Sequence, residues 1–169
     1  HVIGEITQFG TATSQLIKVS VRIKGKPDKT LPGKILSLKS RLRSAAKHVY
    51  LHTNPIILAG YLAQDEKSDV ECVEVIRDII SQETYADQHY YAYALWGYVL
   101  QRQENYDEAF EKYEYTINIA KKDKQKLALA YNNQACILAA QGEYGMAIEQ
   151  YQKTISYIPK ISRVYVNYG

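Results

Sequence analysis

Residues 93–113 read YALWGYVLQRQENYDEAFEKY, and residues 131–151 read YNNQACILAAQGEYGMAIEQY. The two stretches carry tyrosine at both ends and small residues at equivalent places, with a constant offset of 38 residues. A repeat of this length is typical of helical pairs that cannot bury their apolar faces alone and therefore stack on one another. Because stacked pairs build an extended concave surface, the sequence predicts a binding scaffold.

The repeated positions resemble the tetratricopeptide repeat family over residues 90–169. Small residues stand where the two helices of a pair would cross: Gly97 and Ala109 in one repeat, Ala135 and Ala147 in the next. Tyr93 and Tyr131 take the family's early aromatic place, and Trp96 and Gln134 take the usual leucine place. Tyr106 and Tyr144 begin the second helices, Tyr113 and Tyr151 lie in the middle of them, and Pro159 closes the second copy. Trp96 is interpreted as a packing residue and not as a platform for a ligand.

The resemblance implies a mainly α fold, a tetratricopeptide-type α-solenoid of stacked antiparallel helix pairs over residues 34–169. The expected repeats are one degenerate, two full and one truncated: 53–86, 90–123, 128–161 and 162–169. Gly60 and Cys72 take the small-residue places of the degenerate repeat. The step between the full repeats is four residues longer than the family's usual length of about 34. We expect one extra helical turn around Lys121 to Lys126 to absorb the difference.

Apolar periodicity and capping residues predict the individual helices. One helix follows Lys34, a second starts at Asn54-Pro55, and a third starts at Ser68-Asp69 as a capping box with Glu71. The remaining helical stretches are expected at 86–102, 106–121, 125–140, 144–157 and 161–169.

Residues 1–33 differ in character and predict a short β-strand or hairpin segment before the helices. Residues 17–23 alternate between apolar and polar side chains, which is the pattern of a half-buried strand. Val2 to Phe9 is the expected partner strand, with a connection over Gly10 to Ser14 and a turn at Gly25 to Asp28. Leu31-Pro32-Gly33 is interpreted as a second break. Two strands are not stable alone, so they must lean on the helices or on an upstream domain.

Basic and acidic residues are distributed unevenly along the chain, and this asymmetry suggests a second possible function. Residues 1–50 carry ten Lys and Arg against two acidic residues, whereas residues 51–169 carry eleven against sixteen. A solvated basic face is the favoured interpretation, and the alternative is nucleic-acid association through phosphate contacts. The basic side chains considered for it are Arg22, Lys24, Lys26, Lys39, Arg41, Arg43 and Lys47. A third reading is a regulatory or sensor array within a larger multidomain protein.

The concave face is the expected binding site for a peptide or partner protein. By the family's register this groove presents side chains from the first helix of each repeat: Tyr91, Ala94, Tyr98, Arg102, Leu129, Asn132, Asn133, Cys136, Arg163 and Asn167. Tyrosine rings can stack on ligand side chains, and asparagine amides can both donate to and accept from a peptide backbone. Arginine can pair with a carboxylate.

Signals for catalysis, metal or cofactor are weak, so no enzyme activity and no cofactor are expected. His48 and His52 stand four residues apart on an expected helix, but no third metal ligand is evident. Cys72 and Cys136 lack C-x-x-C spacing, which fits a reducing, cytoplasmic compartment. No apolar stretch is long enough to span a bilayer. The chain starts without Met and ends within a helical pattern, so we expect a fragment whose open C-terminal repeat could self-associate.

Overall fold

The computed structural model describes residues 2–11, 14–34 and 38–159. The chain divides into two compact units, His1–Leu58 and Ala59–Gly169. The first unit contains three strands and helix α1 (Leu38–Thr53). The sequence grouped this helix with the helical array, whereas in the structure it packs against the sheet of its own unit.

The sheet of the first unit has three antiparallel strands in the order β1 (Val2–Thr11), β2 (Ser14–Ile23) and β3 (Lys29–Lys34). The two predicted strands and the turn after β2 are therefore confirmed. The break predicted at Leu31-Pro32-Gly33 is wrong, because these residues lie within β3. Proline is tolerated on an edge strand, where its missing N–H faces away from the ladder.

The alternation in β2 reflects burial against helix α1. Val19, Val21 and Ile23 are buried together with Ala45 of α1, and Val49 packs against them. Their polar neighbours on β2 point to the opposite face of the sheet, as expected for a period of two residues. Leu42 of the same helix is exposed.

The second unit is helical and follows the predicted order closely. The chain passes from the first unit to the second within α2 (Pro55–Leu62). The helices that follow are α3 (Asp69–Ser81), α4 (His89–Arg102), α5 (Tyr106–Ala120), α6 (Lys124–Ala140) and α7 (Tyr144–Tyr157). Each helix from α3 to α6 packs against the next one along the chain. This arrangement confirms a helical-repeat solenoid. The helix predicted over 161–169 lies outside the described residues.

Two predicted helix starts are right, but their predicted caps are not. Helix α2 starts at Pro55, yet the buried Oδ1 of Asn54 has no hydrogen-bond partner among the described residues. Helix α3 starts at Asp69, yet the Ser68 side chain makes no capping bond. A 3₁₀ helix, Glu66–Ser68, leads directly into α3 and replaces the predicted capping box.

Close helix contact explains the small residues of the full repeats. A Cβ atom built on Gly97 of α4 would lie 2.7 Å from Cε1 of Tyr113 on α5. The ring of Tyr113 is buried, and its hydroxyl donates to Oε1 of Gln101 at 3.1 Å. Ala109, Ala135 and Ala147 are buried as well, so the predicted crossing positions are confirmed.

The degenerate repeat needs one correction at its first small-residue position. Apart from the backbone of its own helix and its chain neighbours, no described atom lies within 4 Å of a Cβ built on Gly60, so this glycine does not permit a close approach by another helix. The neighbouring Ala59 is fully buried, and its carbonyl accepts a hydrogen bond from Sγ of Cys72 at 3.4 Å. Cys72 thus occupies a small-residue place as predicted, with Ala59 and not Gly60 opposite it.

The four additional residues between the full repeats lie mainly at the start of α6. Tyr93 is the fifth residue of α4, whereas the equivalent Tyr131 is the eighth residue of α6. Lys121, which replaces the family's proline, ends α5 with a positive φ of 53°. Asp123 then caps α6 by accepting from the backbone N–H groups of Gln125 and Lys126. The predicted extra turn is therefore present over Lys124 to Lys126.

The turn inside each full repeat has the same backbone geometry but a different residue. Glu104 after α4 has a φ of 59°, and Gly142 after α6 has a φ of 81°. The residue after each of them donates to a carbonyl five residues earlier, at 2.9 Å from Asn105 to Leu100 and at 2.8 Å from Glu143 to Leu138. This left-handed helix ending normally takes glycine, because a Cβ atom is strained there.

The substitution Glu104→Gly is therefore expected to stabilise the array by about 0.5–1 kcal/mol, since it removes a Cβ from a left-handed position. Thermal or urea unfolding of the whole chain measures the change. The reverse substitution at the equivalent site, Gly142→Ala, should lower stability by about 1 kcal/mol. Equal stability of both variants and the unmodified chain would show that this geometry imposes no strain.

Candidate protein-binding surface

We define the groove face as the eight described residues that the family's register placed on the first helices of the two full repeats. Helix α4 contributes Tyr91, Ala94, Tyr98 and Arg102, and α6 contributes Leu129, Asn132, Asn133 and Cys136. The other two predicted groove residues, Arg163 and Asn167, lie outside the described residues.

Three large side chains of the groove face are half exposed. The exposed fraction is 49% for Tyr91, 48% for Tyr98 and 50% for Leu129. Tyr91 and Leu129 occupy equivalent positions, 38 residues apart. Ala94 between the two tyrosines is partly exposed, so it adds no bulk between the rings. Each tyrosine offers a partner an apolar ring and a hydroxyl.

The guanidinium of Arg102 is already engaged within the array. It pairs with the buried carboxylate of Asp69 on α3, and its Nη1 donates to the carbonyl of Ala63 at 2.8 Å. Gln103 donates to the same carboxylate at 2.9 Å. The Tyr98 ring lies 5.4 Å from the guanidinium carbon. Arg102 therefore joins α4 to the end of α2 and the start of α3, in addition to bordering the groove face.

The polar part of the groove face lies on α6. Asn132 Oδ1 is buried without a partner among the described residues, while its Nδ2 lies 4.0 Å from Sγ of Cys136. The Cys136 sulfur lies 3.6 Å from the hydroxyl of Tyr151 on α7. Burial raises the pKa of Tyr151, so this hydroxyl stays protonated. Asn132 and Asn133 are both partly exposed. Because the Oδ1 of Asn132 is buried, Asn133 is the asparagine chosen to test contact with a partner.

A contact that the sequence analysis missed joins the first helices of the two repeats. The hydroxyl of the buried Tyr90 donates to the carbonyl of Lys126 at 2.9 Å. Nζ of Lys126 lies over two rings, 5.1 Å from the centroid of Tyr90 and 5.3 Å from that of Tyr91. Burial raises the pKa of Tyr90, which keeps its hydroxyl a donor. The contact holds Tyr90, the chain neighbour of Tyr91, against the start of α6.

Trp96 has the packing role predicted for it. Its ring packs against the buried cluster that contains Leu100 and Tyr113. Two cations flank the ring, with the Arg77 guanidinium carbon at 5.3 Å and Lys112 Nζ at 4.8 Å from its centroid. Such contacts are attractive because the face of the indole ring carries partial negative charge.

The sequence raised two alternatives to protein binding, a metal site at His48 and His52 and nucleic-acid contacts by the basic segment. The rings of His48 and His52 meet edge to face at 4.7 Å between centroids, which is the geometry of an aromatic contact. Over residues 2–11, 14–34 and 38–159, no group of three or more His, Cys, Asp or Glu side chains could hold a metal ion. In the basic segment, Arg22 pairs with Asp28 at 2.9 Å. Nucleic-acid association remains a prediction from charge.

Stacked helix pairs with half-exposed side chains on their first helices define a helical-repeat protein. Residues 81–158 match the family model described as Tetratricopeptide repeat, and this part of the chain belongs to the tetratricopeptide repeat family. Repeats of this family generally mediate protein–protein interaction.

A curated relative supports a wider similarity. The chain is 30% identical over 115 residues to "Uncharacterized protein ycf37" of Cyanophora paradoxa. The match covers 66% of this chain and 65% of that protein, so the chain spans just under two thirds of the relative's length. Within the described part of the chain, no helix combines the length and apolar character needed to cross a bilayer.

Proposed function

We propose that the chain is a non-catalytic scaffold that binds a segment of a partner protein along the groove face. The observation that carries the proposal is the half-exposure of Tyr91, Tyr98 and Leu129 on first helices whose other large apolar side chains are buried or partly buried. Rings held on stacked helices lose little conformational freedom when a partner binds, so more of the contact energy appears as affinity.

The charges around the groove face favour an uncharged segment of the partner. Arg102 is paired with Asp69, and Lys126 lies 4.0 Å from the carboxylate of Asp123. Neither cation is therefore free to attract an acidic ligand at long range. We propose that ring contacts from the tyrosines and hydrogen bonds from Asn133 supply the recognition, which makes the affinity weakly dependent on salt.

The proposal predicts that Tyr98→Ala and Asn133→Ala each reduce partner capture. Removing a ring or an amide from a binding hot spot weakens affinity by about tenfold or more. Affinity capture from native extract, quantified by mass spectrometry, measures the change. Circular dichroism should show unchanged helicity in both variants.

Tyr144→Ala is the matched control for this experiment. Tyr144 is the first residue of α7, is 67% exposed and lies outside the groove face. Its removal should leave capture unchanged. Equal capture by Tyr98→Ala, Asn133→Ala and the unmodified chain would show that the groove face is not the binding site.

A further inference from the structure

The two edges of the sheet in the first unit are built differently. Edge strand β3 has six residues and includes Lys29, Pro32 and Lys34. Lysine and proline are the residues with which proteins protect a sheet edge from pairing with another strand. Edge strand β1 has ten residues, contains no proline and no lysine, and has Glu5 as its one charged residue. Among the described strands, β1 pairs with β2 alone.

Both faces of β1 leave apolar side chains exposed. Val2 stands opposite Ile23, which is buried against α1, so Val2 belongs to the face of the sheet that carries the core. Its exposed fraction is nevertheless 47%, and that of Ile3 on the other face is 58%. Gly4, opposite the buried Val21, is exposed as well. Helix α1 thus covers the core face at β2 and leaves it uncovered at this end of β1.

We propose that β1 pairs antiparallel with β1 of a second copy of this chain, which joins the two sheets into one of six strands. Pairing of β1 with β3 of another copy is disfavoured because Pro32 lacks the N–H that an outer ladder needs. Pairing of β1 with itself is a two-fold arrangement and leaves only the protected β3 edges outside. The assembly therefore closes at two copies and does not extend into a fibre.

The charges on β1 are compatible with this partner. The Thr7 hydroxyl donates to the Glu5 carboxylate at 3.3 Å, so the strand's one charge has a partner within the strand. Thr7 pairs with Lys18 and is exposed on the face opposite to the core. It also lies near the middle of Val2–Thr11, so its side chain comes close to the second copy in any central two-fold register.

Thr7→Glu tests the proposal because it places a second carboxylate beside Glu5 on both copies. Sedimentation velocity of the full chain over a range of concentrations gives the association constant. The unmodified chain should approach twice its mass of 19.3 kDa, and Thr7→Glu should associate at least tenfold more weakly. Added salt should restore part of the association, since it screens repulsion between like charges.

Two controls separate the pairing edge from general effects of the substitution. Thr7→Gln also loses the hydroxyl but adds no charge. Thr30→Glu adds the same charge on β3, where Thr30 stands opposite Ser20 on the same face of the sheet as Thr7. Both controls should associate as the unmodified chain does, and circular dichroism should show the same secondary structure for all variants.

Three results would overturn the proposal. The unmodified chain could stay monomeric at the highest soluble concentration, or Thr7→Glu could associate as strongly as the unmodified chain. Association could also be abolished by Ile148→Lys on α7, where Ile148 is exposed, and be unaffected by Thr7→Glu. That pattern would place the contact between copies on the last described helix.

Discussion

Gly97→Ala is expected to lower the free energy of unfolding by about 1–3 kcal/mol, the usual cost of overpacking a filled core. The added Cβ would lie 2.7 Å from the Tyr113 ring, inside the normal contact distance. The ring cannot move away freely, because it is buried and its hydroxyl is bonded to Gln101. Urea unfolding followed by circular dichroism measures the loss.

Gly60→Ala provides the matched control for this substitution. Gly60 is also a helical glycine, but an added Cβ would meet no described atom outside its own helix within 4 Å. Because alanine has the higher helix propensity, this variant should be up to about 1 kcal/mol more stable than the unmodified chain. If Gly97→Ala is as stable as Gly60→Ala, the helix crossing of the first repeat is looser than the structure indicates.

Asp69→Asn is expected to cost about 3 kcal/mol or more, because it leaves the charge of Arg102 without its partner in a buried site. The side chains of Asp69 and Arg102 are 9% and 18% exposed, so water cannot compensate for the loss. The amide could still accept a hydrogen bond, which makes the variant a test of charge and not of shape. Urea unfolding of the full chain gives the change.

Two further variants test whether the effect of Asp69→Asn comes from the pair. The double variant Asp69→Asn with Arg102→Met removes both charges, so it should lose less than the sum of the single losses. Asp28→Asn breaks the exposed pair with Arg22, whose side chains are 51% and 69% exposed, and such pairs contribute at most about 1 kcal/mol. Additive losses in the double variant would show that Asp69 and Arg102 do not stabilise each other.

Periodicity and spacing predicted most of the helical unit because helix packing in a repeat is local. The crossing residues Gly97 and Ala109 lie twelve residues apart, within one helix pair. The small-residue place of the degenerate repeat was assigned to Gly60 and belongs to Ala59, one residue earlier in α2. This helix has eight residues, which is too short for apolar periodicity to identify the residue that faces the next helix. Strand β3 was missed because Pro32 and Gly33 suggest a break, while hydrogen bonding to β2, which the residue types of 29–34 do not reveal, decides otherwise.

The groove face stays a prediction, and the contacts that its residues make could be predicted only in part, because they depend on how separate helices meet. The family's register identified Tyr91, Tyr98 and Leu129, which the structure shows half exposed on α4 and α6. The register could not show that Asp69, 33 residues before Arg102, holds its guanidinium. The bond from Tyr90 to the carbonyl of Lys126 was equally hidden, since it depends on how successive first helices approach one another.

The most direct test of the proposed scaffold is the dissociation constant of a captured partner for Tyr98→Ala and Tyr144→Ala, measured at low and high salt. We predict that Tyr98→Ala binds about tenfold more weakly, that Tyr144→Ala binds as the unmodified chain does, and that salt changes each constant little. Equal constants for the two variants, or an affinity that collapses with added salt, would contradict recognition by an uncharged tyrosine face.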